Sequence, residues 1–224
     1  RDLRMSRGLG DVYKRQVREA IMRVEAWYDN NMLNVIEMVS MQMLTESESD
    51  PVLKEVISSL DLAVIGEKGI LQAAGVDTMQ RIRETEENDF SDEFLKRVER
   101  NRKSVFIIGE TQGAVDEFTQ ELREEYPKLV LAGAAATENC VGDLEGVINE
   151  MNAATPDVII SIIPSPGQEH FLVEHRDKIN ANLWYGIGGF EVHRKRSRIK
   201  GFFWNLIPVS YTHLRAHETC ADLV

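Results

Sequence analysis

The chain has 224 residues, 43% of them hydrophobic, and carries 26 Lys and Arg against 37 Asp and Glu, a formal net charge of -11. That length suits one large domain, and no stretch approaches the roughly 20 continuous apolar residues that a membrane-spanning helix needs. Two cysteines, Cys140 and Cys220, make no disulfide framework, and so acidic a surface is a poor partner for nucleic acid, so a reducing cytoplasm is the expected compartment.

Residues 1–16, RDLRMSRGLGDVYKRQ, and 210–224, SYTHLRAHETCADLV, resemble translated adapter read-through and are expected to be foreign or disordered tails around a single domain at 17–209. Within that domain, Val17, Ala20, Ile21, Val24, Trp27 and Tyr28 recur at three- and four-residue spacing and predict an amphipathic helix over 17–33. A run rich in Val, Ile, Met and Leu predicts a strand over 35–44, and Pro51 after the polar run 45–50 opens a helix to about residue 60. A strand at 62–65 and a helix at 67–74 follow. The acidic stretch 84–89 reads as a linker, and Ser91 as the N-cap of a helix ending near 101.

The second half alternates clearly. Strands are predicted at 104–108, 129–132, 157–163 and 183–187, with helices at 112–126, 141–153 and 167–176 between them. The uninterrupted apolar run at 158–163 is that of a strand covered on both faces. The pattern predicts an α/β fold: a mostly parallel sheet with helices on both faces, Rossmann-like, binding its ligand beyond the C-terminal ends of the strands.

The turns after the strands are therefore where chemistry is sought. Gly109 opens a turn whose following helix could offer free N–H groups to an anion, although a glycine turn that merely connects strand to helix reads equally well. Gly133 opens a similar turn of small residues. Neither completes a dinucleotide or triphosphate glycine pattern, which disfavours a nicotinamide-dependent oxidoreductase. Gln168 and Glu169 fall in the first turn of a helix, where Gln168 could bond a base, ribose or sugar hydroxyl and Glu169 needs no more reason than the helix dipole. Gly186-Ile187-Gly188-Gly189-Phe190-Glu191 places three glycines in four residues, which suits close backbone approach to a phosphate or ribose. Glu67 stands at a strand end, the position of a base acting on a bound hydroxyl, but also a place where a helix-start Glu is favourable without function. His170 and His175, five apart, do not form a metal pair and read as solvated, and Cys140 reads as a packing residue. The basic run containing Arg196, Arg198 and Lys200 lies beside Phe202, Phe203 and Trp204, which suits an anionic membrane surface or a diphosphate as well as a solvated loop.

These turns resemble the WecG/TagA/CpsF glycosyltransferase family. The resemblance rests on Pro156-Asp157-Val158-Ile159-Ile160, on Ser165-Pro166-Gly167-Gln168-Glu169 and on the 186–191 turn, supported by Tyr126-Pro127 ahead of Gly133 and by Asp61-Leu62 leading to Gly66-Glu67. It implies transfer of an N-acetylmannosamine-like sugar from a UDP donor to a polyprenyl-diphosphate-linked sugar in cell-surface polymer synthesis. Inversion, no metal and no cofactor besides the donor substrate are implied with it. By position Glu67 would be the base, and Gln168 with the 186–191 turn, ending at Glu191, would hold the donor together with Gly109, Gly133 and Glu169. Arg196, Arg198 or Lys200 would face the diphosphate or the membrane. The sequence departs from the pattern in having Glu for Asp at 67 and 191, in lacking the usual Thr and Asn on the first strand, and in a basic C-terminal segment cut short. A catalytically degenerate sugar-nucleotide-binding or scaffolding protein of the same fold is the alternative reading, and homo-oligomerisation is left open.

Overall fold

A computed structural model describes residues 17–140 and 144–188. The helices are α1 Val17–Glu25, α2 Met41–Glu46, α3 Pro51–Ser59, α4 Lys68–Ala73, α5 Met79–Glu86, α6 Asp89–Arg100, α7 Gln112–Glu125, α8 Glu145–Ala153 and α9 Gly167–His175. The strands are β1 Asn34–Val39, β2 Leu62–Ile65, β3 Ser104–Gly109, β4 Val130–Ala136, β5 Val158–Ser161 and β6 Leu183–Gly186. They form one parallel sheet in the order β2-β1-β6-β5-β3-β4.

Alternate residues of each strand feed two separate cores. Ile36, Val64, Ile107, Ile160 and Tyr185 pack against α1, α6 and α7 on one face. On the other, Val35, Ile108, Ile159 and Trp184 meet α8 and α9, while Val39, Ala63 and Ile65 meet α2, α3 and α4. The face a helix takes follows the direction of its crossover. Connections running from β1 to β2, β4 to β5 and β5 to β6 lie on the second face. Of those running the opposite way, β3 to β4 uses the first face through α7, and β2 to β3 keeps α4 on the second face before α6 makes the crossing on the first, as a uniform crossover handedness requires. The connections leaving the neighbours β3 and β5 thus depart to opposite faces, the switch point at which α/β sheets of this kind place their ligand crevices.

Several sequence expectations shift. The strand predicted over 35–44 ends at Val39, because Ser40 accepts the Met43 N–H at 2.9 Å and starts α2. The helix predicted to 33 gives way at Ala26 to a short 3-10 turn. The acidic stretch is largely helical: α5 begins on a Thr78 cap and reaches Glu86. Ser91 is no N-cap. It is buried inside α6, donates to Asn88 Oδ1 at 2.7 Å and meets the Tyr185 hydroxyl, while Asn88 takes the cap position with a left-handed backbone. The strand predicted to stop at 132 continues to Ala136, with a register shift between Val105 and Phe106 that sets Gly133 opposite Phe106.

Candidate active site

Two aspartates tie the strands together at their N-terminal ends. Asp61, just before β2, accepts the Val35 N–H at 2.9 Å. Asp157, just before β5, accepts the Ser104 N–H at 2.8 Å and its hydroxyl at 2.9 Å, and pairs with Lys103 at 3.1 Å. Burial raises the Asp157 pKa, but these donors outweigh it and hold the carboxyl below its ordinary value. Both aspartates belong to motifs singled out in the sequence, and both act here on the fold, at the edge remote from the turns.

At the opposite edge, Glu67 follows β2, half-buried and with no side-chain bond to the helix it precedes. The next strand but one is β6, which ends at Gly186. Glu67 and Gly186 are therefore separated laterally by β1 alone, about 10 Å at two strand spacings, and since Gly186 is level with Ala63, Glu67 also stands four residues, about 13 Å, further along the strand direction. Gly188 has φ +64, a conformation that explains a glycine there.

Gln168 and Glu169 come from the first turn of α9, reached through a cis Ser165–Pro166 bond. The sequence reading aimed Gln168 at a ligand. In the structure it is 1% exposed and its amide is engaged internally: Nε2 donates to Glu169 Oε1 at 3.3 Å and Glu37 Oε1 at 3.4 Å, and Oε1 accepts the Gly188 N–H at 3.2 Å. Glu37 and Glu169 are fully buried, and the Oε2 atom of each lacks a partner within hydrogen-bonding geometry. Burial first, and then the Glu169 charge, raise the Glu37 pKa well above the ordinary carboxylate range, with the nearby Trp184 indole and the Gln168 amide partly offsetting them. Glu169 is also raised by burial, with its own backbone N–H, the nearby Ser165 hydroxyl and the Gln168 amide partly offsetting it.

The other turns are closed differently. The free N–H groups expected after Gly109 are in use: the Glu138 carboxylate accepts from Gln112 N and the Thr111 hydroxyl from Ala114 N. Gly109 itself is required by packing, since a Cβ there would lie 2.6 Å from Val115 and 3.0 Å from Ile162. Gly133 lies inside β4 rather than in a turn, and a Cβ on it would sit 2.6 Å from the Phe106 ring. His170 is exposed and bonds Asp50, the cap of α3, at 2.9 Å, drawing the Asp50 pKa down. His175, expected to be solvated, is buried edge-on against Phe171. Gly189, Glu191, Arg196, Arg198 and Lys200 lie outside the described residues. Among the described residues no group of three or more His, Cys, Asp or Glu is placed to hold a metal ion, and no helix is long and apolar enough to cross a membrane.

The sequence reading missed Glu37 and Glu138. Glu37 had a visible signal, a lone acid within the apolar strand Val35-Ile36-Glu37-Met38-Val39. Glu138, a polar loop residue, had none.

The chain is 24% identical over 147 residues to an N-acetylglucosaminyldiphosphoundecaprenol N-acetyl-beta-D-mannosaminyltransferase of Bacillus spizizenii, covering 64% of this chain and 55% of that protein. It is 27% identical over 104 residues to a protein of the same name from Staphylococcus aureus, covering 45% of this chain and 39% of that one. The model of the glycosyl transferase WecG/TagA/CpsF family matches residues 10–193, most of the chain, and the chain belongs to that family.

Proposed function

We propose that the protein transfers an N-acetylhexosamine of the N-acetylmannosamine kind from a UDP-sugar to a polyprenyl-diphosphate-linked sugar, in building a cell-surface polymer. The observation that carries this reading is the placement of Glu67 one strand away from the 186–188 turn, on the same edge of the sheet. An acceptor hydroxyl beside Glu67 and a donor diphosphate at the glycine turn would lie on the same C-terminal edge of the sheet, with the transferred sugar between them. The names of the relatives support the chemical class of sugar and acceptor.

In this reading the Glu67 carboxylate takes the proton of the acceptor hydroxyl as its oxygen bonds to the anomeric carbon. The bond from that carbon to the phosphate oxygen breaks on the opposite side, UDP departs with the electron pair, and the anomeric centre inverts. Arg196, Arg198 and Lys200 are assigned to the charge on the departing diphosphate or to an anionic membrane surface. No metal or further cofactor takes part in this scheme, and the enzyme would work at the cytoplasmic face of the membrane that holds its acceptor.

Titration with UDP, UDP-N-acetylmannosamine and NAD, followed by an acceptor-dependent turnover assay, tests the proposal. Glu67→Gln should bind UDP as the parent does and lose about 10²-fold or more in turnover, the scale of general-base catalysis. Turnover unchanged in Glu67→Gln removes the base assignment. UDP binding without any turnover by the parent favours the degenerate binding protein.

A further inference from the structure

Glu37 stands outside every motif recognised in the sequence, yet it is fully buried within β1, between β2 and β6. Its register neighbours are Ala63 on β2 and Gly186 on β6. It shares a face with Val35 and Val39, where an aliphatic residue would pack without the cost of burying a carboxylate.

The geometry around Gln168 gives that carboxylate a task. A glutamine amide has two ends of similar shape and opposite polarity, and rotation by half a turn exchanges them. Here both hydrogens of Nε2 are directed at carboxylates, one on Glu37 and one on Glu169, while Oε1 is left to accept the Gly188 N–H. The reversed amide would set its NH2 against the Gly188 N–H and its oxygen against two carboxylates. The amide is pressed onto the bare face of Gly186, where any Cβ would overlap it. Four elements of the chain, β1, α9, the end of β6 and the turn after it, thus meet at one side-chain amide whose polarity the two acids select.

We propose that Glu37 is a positioning residue for the donor site: together with Glu169 it fixes the polarity of the Gln168 amide, and that amide fixes the 186–188 turn. This rests on the proposed function only in taking that turn as the nucleotide's contact. Gln168 acts in it as a bracket behind the turn. Its two donors are already spent, so it is not free to donate to a ligand.

The test uses the full chain with three readouts: hydrogen exchange of the Gly188 amide, exchange of the Gln168 side-chain NH2, and UDP affinity by calorimetry. In the parent protein the Gln168 NH2 should be strongly protected, and exchange at the rate of an exposed glutamine overturns the bracket without any variant. Glu37→Met removes the acceptor at nearly constant volume. It should speed Gly188 exchange and weaken UDP by about 10-fold, the scale of losing one buried hydrogen bond. Glu37→Gln keeps an acceptor oxygen and should restore both values to within about 3-fold. A folded Glu37→Met protein with parental Gly188 protection, or a Glu37→Gln protein as impaired as the Met variant, overturns the proposal. If Glu37→Met does not fold, the Gln168 NH2 resonance decides instead: it should move in Glu37→Gln, and an unchanged resonance overturns the role of Glu37. A parent protein that binds no UDP defeats the functional reading alone, since the two exchange measurements still decide the bracket.

Discussion

The carboxylate of Glu138 accepts the backbone N–H of Gln112, closing the N-terminus of α7 with the chain's own negative charge. Glu138 follows β4 and its backbone N–H also bonds Glu110, so an anion approaching the start of α7 would find both a used donor and a like charge. Glu138→Ala should strengthen UDP or inorganic phosphate binding several-fold in titration. Losing the charge at the helix start should also lower stability by about 0.3–1 kcal/mol. Unchanged or weaker binding would show that anions do not approach α7.

The buried acids make stability depend on pH in a defined direction. Glu37 and Glu169 both have folded pKa values above the ordinary 4.5. Glu169 and Gln168 face Glu37 from α9 and Trp184 faces it from β6, while Ser165 and His170 act on Glu169. The folded chain therefore holds more protons than the unfolded one, and the pair titrates as a unit. Its stabilising contribution is complete below the ordinary value and declines as pH rises through the folded values. Urea melts between about pH 5 and pH 8 should show this decline, and Glu37→Gln should flatten it. A parental slope in the variant would assign the decline to other groups.

Asp157 has the opposite sign. Its folded pKa is depressed, so its contribution is present above the ordinary 3.8 and is lost as pH falls through the folded value. Asp157→Asn weakens the bonds to Ser104 and the pair with Lys103, and should lower stability by about 2 kcal/mol. Because these bonds lie at the N-terminal end of the sheet, UDP affinity of the folded variant should match the parent. A selective loss of affinity would place Asp157 in communication with the turns.

Gly133→Ala tests the packing reason for that glycine. The added methyl would enter the Phe106 ring and should cost about 1–3 kcal/mol in a thermal or urea melt. Ligand affinity per folded molecule should be retained, and a specific loss of affinity in a stable variant would restore Gly133 to the site.

The sequence made the fold legible wherever a strand was apolar on successive residues, as in Val158-Ile159-Ile160, or where a cap residue marked a helix start. It failed where one residue type has two uses. Gly133 and the alanines after it read as a turn, although here smallness makes room for Phe106 across the register shift. The acids of α5 read as a linker because their solvated face hid the buried side of that helix. For the site, the positions of Glu67 and Gly186 at strand ends could be read directly, since both follow from the βα pattern. The occupation of the Gln168 amide could not, because its partner Glu37 is 131 residues away and only the strand order brings them together.

That strand order also bears on how the chain folds. Leu183 at the start of β6 pairs with Asn34 of β1 on one side and Val158 of β5 on the other. β6 is thus the wedge that joins a β1-β2 pair to a β3-β4-β5 group, and it is the last of the six strands to leave the ribosome. Until it inserts, β1 and β5 each present an open edge, the condition in which parallel sheets are slow to complete and prone to aggregate. Until that step no strand pairing joins the half bearing Glu37 and Glu67 to the half bearing Gln168, so a nascent chain has both parts of the candidate site before the sheet brings them together.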